Sequence, residues 1–277
     1  MKKSLLLVLA VPALLLTSCG GGVDVNGYIS NGTSITEQTK QDVQHVEEAQ
    51  KQAAEEIINK GVNVKGRTIY DASADTYGGR TSERMDLTLD ITLGVTTPSV
   101  SVNLNGNVSA SQSGQSASGD AKGVSEASKA SGEWIIAQDY LTITVNGQSQ
   151  TEQQYLFNGR RTKVDTFYHS LVDEIYSWEF DFDFETVREA FSQYGLADLV
   201  DNIAISGNPK TGTFEIGLTK EYVTTIIGGT LKFNKYRFAY KDFLVKEYTY
   251  RLEASGTTVY GSSLVIMEED YVFTYLQ

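Results

Sequence analysis

Residues 85–93 read Met-Asp-Leu-Thr-Leu-Asp-Ile-Thr-Leu, and this stretch decides the fold. Met85, Leu87, Leu89, Ile91 and Leu93 alternate with Asp86, Thr88, Asp90 and Thr92. A period of two belongs to a strand, whose successive side chains point to opposite faces, so one face is dry and the other wet. Val100, Val102 and Leu104 repeat the pattern up to Asn105-Gly106, and Leu141, Ile143 and Val145 repeat it before Asn146-Gly147. Tyr155 and Phe157 run into Asn158-Gly159, with Lys163 to Phe167 beyond. Asn-Gly between such runs is a strong hairpin signal, because both positions accept positive φ. Residues 107–132 are a low-complexity insert of Ser, Ala and Gly. They read either as a mobile excursion or as thin strands of small residues.

Toward the C-terminus the alternation continues. Phe180, Phe182 and Phe184 alternate with Asp181 and Asp183, and Asp183 is placed to cap a helix carrying Val187, Ala190, Phe191 and Tyr194 and ended by Gly195. Thr219 to Ile227 fits a short helix by its flanks, but its β-branched content leaves that assignment open. Leu231 and Phe233 have one parity and Tyr236, Phe238 and Tyr240 the other, which puts a bulge or tight turn at Asn234-Lys235. Tyr248, Tyr250 and Leu252, then Val259 to Met267 and Tyr271 to Tyr275, complete an antiparallel meander. Between them, Glu268-Glu269-Asp270 reads as an acidic turn.

Upstream, Val62 to Glu83 reads as irregular, with a turn at Gly78-Gly79. Ser34-Ile35-Thr36-Glu37 has the form of a capping box, opening a helix expected to run to Asn59 with Gly61 past its end. Val43, Val46, Ala49, Ala53 and Ile57 form one narrow apolar stripe on it. A helix of about 25 residues is roughly 37 Å long, and its stripe fits a broad sheet, with a coiled-coil seam as the alternative. The fold class that follows is α+β, mainly antiparallel β: a curved sheet or half-barrel packed on a long N-terminal helix and short inserted helices.

The N-terminus sets location. Lys2 and Lys3 precede an apolar run from Leu5 to Leu16, too short for the roughly 20 residues of a membrane span. Leu16-Thr17-Ser18-Cys19 resembles the lipobox of bacterial lipoproteins, which implies a diacylglycerol on Cys19, cleavage before it, and attachment to the extracytoplasmic face of a bacterial membrane. Residues 1–18 are then a signal peptide, 19–33 an anchor and tether, and 34–277 the domain. The chain carries a formal charge of −12; losing Lys2 and Lys3, with no acid among residues 1–18, leaves 21 basic against 35 acidic residues, or −14. Such a surface repels nucleic acid and anionic headgroups. With Cys19 acylated, no thiol remains for a disulfide, a thiolate metal site or a nucleophile.

Catalytic constellations are sparse. His169 sits in Asp165-x-x-x-His169-x-x-x-Asp173, and Asp181 and Asp183 share a strand face, but no hydrolase, zincin or Walker motif is present. The expectation is a non-enzyme without metal or cofactor. The order of elements, the lipobox and the Tyr155–Gly159 hairpin resemble the LolA/LppX-like lipoprotein family. That resemblance implies a lipid or other hydrophobic ligand in the concave face of the sheet. Moving about 15 methylenes through water costs on the order of 12 kcal/mol, so a carrier must supply an apolar lining. Leu87, Leu89, Ile91, Val102, Leu104, Phe180, Phe182, Phe191, Phe233 and Phe238 are the candidates by face. The alternative is a non-catalytic surface lipoprotein whose core is filled and whose acidic, Tyr-rich exterior binds a protein or glycan.

Overall fold

The computed structural model describes residues 28, 29, 31–35, 40–176, 189, 192, 193, 195–226 and 228–277. Cys19 and the segment before it, Phe180, Phe182, Phe191, Asp181 and Asp183 lie outside the described residues.

Along the chain these residues form β1 (Thr33–Ser34), α1 (Lys40–Lys60), β2 (Gly61–Thr76), β3 (Gly79–Gly94), β4 (Ser99–Gln112), β5 (Gln115–Ala130), β6 (Glu133–Val145), β7 (Gln148–Gln153) and α2 (Arg161–Tyr176). Then come α3 (Ala197–Val200), β8 (Ile203–Asn208), β9 (Thr213–Leu218), β10 (Tyr222–Ile226), β11 (Gly229–Lys241), β12 (Leu244–Thr258) and β13 (Gly261–Tyr275). The strands join one antiparallel sheet in the order β1-β8-β9-β11-β12-β13-β2-β3-β4-β5-β6-β7, with β10 beside β9 along β11. The sheet is curved and not closed, and the helices pack on one face, as the alternation of residues 85–93 requires.

Several local expectations change. Thr33 and Ser34 pair with Ile205 and Ala204 of β8, so Ser34 belongs to a strand, and the described helix begins at Lys40. The stretch read as irregular, 62–83, is most of a long hairpin turning at Tyr77-Gly78. Its inward series, Val62, Val64, Gly66, Thr68, Tyr70 and Ala72, mixes small and polar residues and so hides the period of two. Asn105-Gly106 is not a turn; it lies within β4, where a Cβ on Gly106 would meet Leu87 Cδ2 at 2.2 Å. The insert at 107–132 forms thin strands: Ser109, Ala110 and Ser111 face Ser118, Ala117 and Ser116. Asn146-Gly147 does close a hairpin, at φ +48° and +79°. Residues 222–226 are a strand, and the β11 bulge falls at Asn234, as the parity change requires.

Asn158-Gly159 turns the chain into α2 instead of a second strand. The cause is Asp139. A β-bulge between β5 and β6 sets Asp139 opposite Ser125. Its Oδ1 accepts from Ser125 Oγ (2.7 Å) and the Leu156 amide (2.8 Å), and its Oδ2 from the amides of Phe157 (3.2 Å) and Gly159 (3.3 Å). Charge-assisted bonds of this kind are about twice as strong as neutral ones. They spend the loop's amides on a carboxylate, deny them to a ladder, and drive Phe157 into the core.

Candidate functional site

Register fixes which side chains share the helix-bearing face. On β2, Val62, Val64, Gly66, Thr68 and Tyr70 stand opposite Tyr275, Phe273, Tyr271, Glu269 and Met267 of β13. On β3, Leu93, Ile91, Leu89, Leu87 and Met85 stand opposite Val100, Val102, Leu104, Gly106 and Val108 of β4. Gly61 faces Gly94, so β2 and β3 continue the same rows. This one face has two sections with a polar band between them.

The first section is filled. The α1 stripe, Val46, Ala49, Ala53 and Ile57, is buried against β12, β13 and β2. Val164, Tyr168 and Leu171 of α2 join the same cluster as Leu93, Val100, Val102 and Trp134. Trp134 Nε1 donates to Asp165 Oδ1 at 2.7 Å and Tyr168 Oη to the Gly94 carbonyl at 3.3 Å, so polar tips are satisfied as the rings are buried. A smaller cluster lies under α3: Leu196, Leu199, Leu218, Tyr222 and Phe233.

The band is made of Glu269 and tyrosines. Glu269 lies within β13, not in a turn, and is only 3% exposed, between Thr68 of β2 and Tyr250 of β12. Burial pushes its carboxyl up to about 7, opposed by a hydrogen bond from Tyr271. Tyr271 Oη also lies 3.3 Å from Thr68 Oγ1. Burial raises the Tyr236 hydroxyl to about 12 and raises Tyr248, Tyr250 and Tyr271 as well, and the neighbouring Glu269 charge raises each of these three further.

Beyond the band, among the described residues, the face is not covered by the helices. Tyr70, Met85, Leu87, Leu104, Val108, Leu141, Val265 and Met267 are half-buried, and Ile143 and Val145 are each 41% exposed. None of the ten belongs to either core cluster among the described residues. Small residues on β4 and β5 create depth here. Tyr70, Met85, Val108, Ala110, Ala117, Gly119 and Val145 line a shallow apolar depression of about 370 Å³. Farther in, Tyr155 lies over Gly123, where a Cβ would stand 3.1 Å from its ring and 3.4 Å from Leu104 and Leu141. The opposite face of the same strands carries a polar depression of about 530 Å³ along Arg84, Asp86, Asn107, Ser109, Asp120 and Thr144. Ion pairs tile that face: Arg67 holds Asp86 through Nε at 2.7 Å, and Arg84 holds Asp71 at 2.9 Å. The Arg67 bond keeps the Asp86 carboxyl below its usual range.

All seven described members of the expected lining share this face. They do not share one site. Val102 is core, and Ile91, Leu89 and Phe238 pack against that core. Phe233 belongs to the cluster under α3. Leu87 and Leu104 stand in the open section. Met85, Leu141, Ile143 and Val145 stand beside them, each part of an alternation plain in the sequence. Tyr70 and Val108 lay in stretches without that signal. His169 is on α2, 3.8 Å from Asp165 and well exposed, while Asp165 is engaged by Trp134 and by Lys129 at 3.7 Å. The indole N–H, then His169 and Lys129, hold the Asp165 carboxyl below its usual range. Among the described residues no group of three or more His, Cys, Asp or Glu converges as metal ligands.

Fold and site together define an open antiparallel sheet bearing helices on one face, with an apolar ledge beyond them. No protein-family model and no curated protein matches the chain. Among solved structures, it is similar to a β-barrel-like protein of the domain of unknown function DUF1849 from Brucella abortus, at 9% identity and a TM-score of 0.21, over 77% of this chain and 98% of that one.

Proposed function

We propose that this chain is a lipid-anchored, extracytoplasmic carrier or receptor for a lipid or other hydrophobic ligand, held on the open section of the helix-bearing face. One observation carries the reading. Among the described residues, the rows that build the core continue past the Glu269 band as apolar side chains that neither core cluster includes. A contiguous apolar patch of this kind marks a binding surface in a soluble domain. The volume of the depression, about 370 Å³, lies within the roughly 300–1,000 Å³ of small-molecule sites. Cys19 supplies the anchor in this reading, and the ligand requires no cofactor and no chemistry.

The test is extraction. Protein purified without detergent is treated with organic solvent and the extract is weighed by mass spectrometry. The expected result is a stoichiometric lipid, lost in a folded Leu87→Asp variant. A clean extract, with no thermal stabilisation by added fatty acid or phospholipid, would favour the filled-core lipoprotein that binds a protein or glycan.

A further inference from the structure

The hairpins β2–β3, β4–β5, β6–β7, β10–β11 and β12–β13 all turn at the end of the sheet away from α1's junction with β2. Cross-links between turns fix this. The Ser113 amide donates to the Arg80 carbonyl (3.0 Å), the Asn146 amide to Ser118 (3.1 Å) and the Thr257 amide to Gly228 (3.3 Å), while Gly261 faces Thr76. At the extreme tip, Tyr77 is 90% exposed, Val259 79% and Tyr260 73%, on two neighbouring hairpins. A folded domain gains nothing from wetting three such side chains.

Charge makes this end distinctive. The chain is 21% charged with a net charge of −12, yet residues 75–81, 109–118, 224–230 and 255–263 contain only Asp75 and Arg80, opposite in sign. The end is therefore neutral, polar through Ser, Thr and Gly, and tipped with tyrosine. Tyrosine rings settle at the headgroup level of a bilayer, apolar body inward and hydroxyl in water. The acidic remainder of the surface is repelled by anionic headgroups, so this is the end that meets a bilayer without that cost.

We propose that the hairpin tips bearing Tyr77, Val259 and Tyr260 dock in the interfacial zone of a phospholipid bilayer. From Tyr70 to Thr76 the strand covers about 20 Å at about 3.3 Å per residue, so the apolar ledge approaches the docked end. A ligand leaving that way enters the acyl layer with little exposure to water; this consequence rests on the proposed function, while the docking does not. The anchor permits it. Tyr28 packs against the cluster under α3, partway down the same side of the sheet, and the nine residue steps from Cys19 to Tyr28 span at most about 32 Å.

The experiment uses the full chain matured in a bacterial host and reconstituted in phosphatidylcholine vesicles. With Cys19 acylated, Tyr260→Cys and, at the opposite end of the sheet, Ser131→Cys each carry a single thiol for an environment-sensitive fluorophore. Nitroxide-bearing lipid is expected to quench the label at position 260 several-fold more than that at 131, and aqueous iodide to quench it several-fold less. Adding Tyr77→Ser to Tyr260→Cys should at least halve the lipid quenching. Equal iodide access at both positions, with no lipid quenching at 260, would overturn the docking. Intact mass reads acylation of Cys19 separately. A chain lacking it is labelled on a Cys19→Ser background and offered to preformed vesicles, where docking predicts the same contrast and its absence again refutes it. Solvent extraction reports the ligand independently, so loss of one claim leaves the other measurable.

Discussion

The two sections of the helix-bearing face are built from the same strands with the same parity, and they behave differently. Around Val62, Val64, Leu93 and Val100 the rows are sealed by α1 and α2, and side chains there are almost wholly buried. Around Tyr70, Met85, Leu87 and Val108 the rows continue half-exposed. Alternation specifies which face is apolar. Which part of it becomes core depends on what the helices reach, and Glu269 with its tyrosines stands at the limit of that reach. Among the described residues, the contrast separates side chains packed in the core clusters from apolar side chains outside them.

The largest expected effect lies in the filled section. Phe157, wholly buried and placed by Asp139, leaves a cavity when cut to alanine. Phe157→Ala should cost about 3–5 kcal/mol in urea unfolding; a loss below 1 kcal/mol would show that the helices do not seal this section.

Next is Glu269, at the boundary. Its carboxyl titrates near 4.5 when unfolded and at about 7 in the fold. Below pH 4.5 both states hold the proton and the fold is not penalised. Between 4.5 and 7 the unfolded chain releases its proton first, so stability falls as pH rises, reaching a loss of about 3 kcal/mol above pH 7. Glu269→Gln should flatten this slope, leaving the variant more stable than the parent at pH 8 and close to it at pH 4. Parallel pH profiles of parent and variant would remove Glu269 from the boundary.

In the open section the effect on folding is smaller. Leu87→Ala removes half-buried surface and should cost about 1 kcal/mol, while weakening the binding of a fluorescent fatty-acid probe severalfold. A cost near that of Phe157→Ala would mean Leu87 is core. Smallest is the outer face. Arg84→Ala breaks exposed pairs with Asp71 and Asp86 and should change stability by less than about 1 kcal/mol, declining further in salt.

The same contrast explains what the sequence disclosed. Strands whose inward residues are large and aliphatic, 85–93 and 141–145, were legible, as was the bulge at Asn234. β2 was not, because its inward positions beside Tyr271 and Glu269 are Gly66 and Thr68, small residues that make room for a neighbour's bulk. β5 was ambiguous for a related reason: Ala117, Gly119 and Gly123 leave depth for Val145 and Tyr155 to occupy. The helix after Asn158-Gly159 depends on a carboxylate 19 residues upstream, Asp139, which no local pattern announces. Within the expected lining, parity found the face but could not divide it, so Val102 and Phe233 were grouped with Leu87 and Leu104. Glu269 was hidden by its acidic neighbours, although it shares parity with Met267, Tyr271 and Phe273.

The most direct test of the open section is contact mapping with a photoactivatable fatty acid. The protein is loaded with the probe, irradiated and digested, and the modified residues are read by mass spectrometry. The account predicts adducts concentrated at residues 85–89, 104–108 and 141–145, competed away by unlabelled fatty acid and lost in Leu87→Asp. Adducts confined to the outer face, or insensitive to both competition and that substitution, would contradict it.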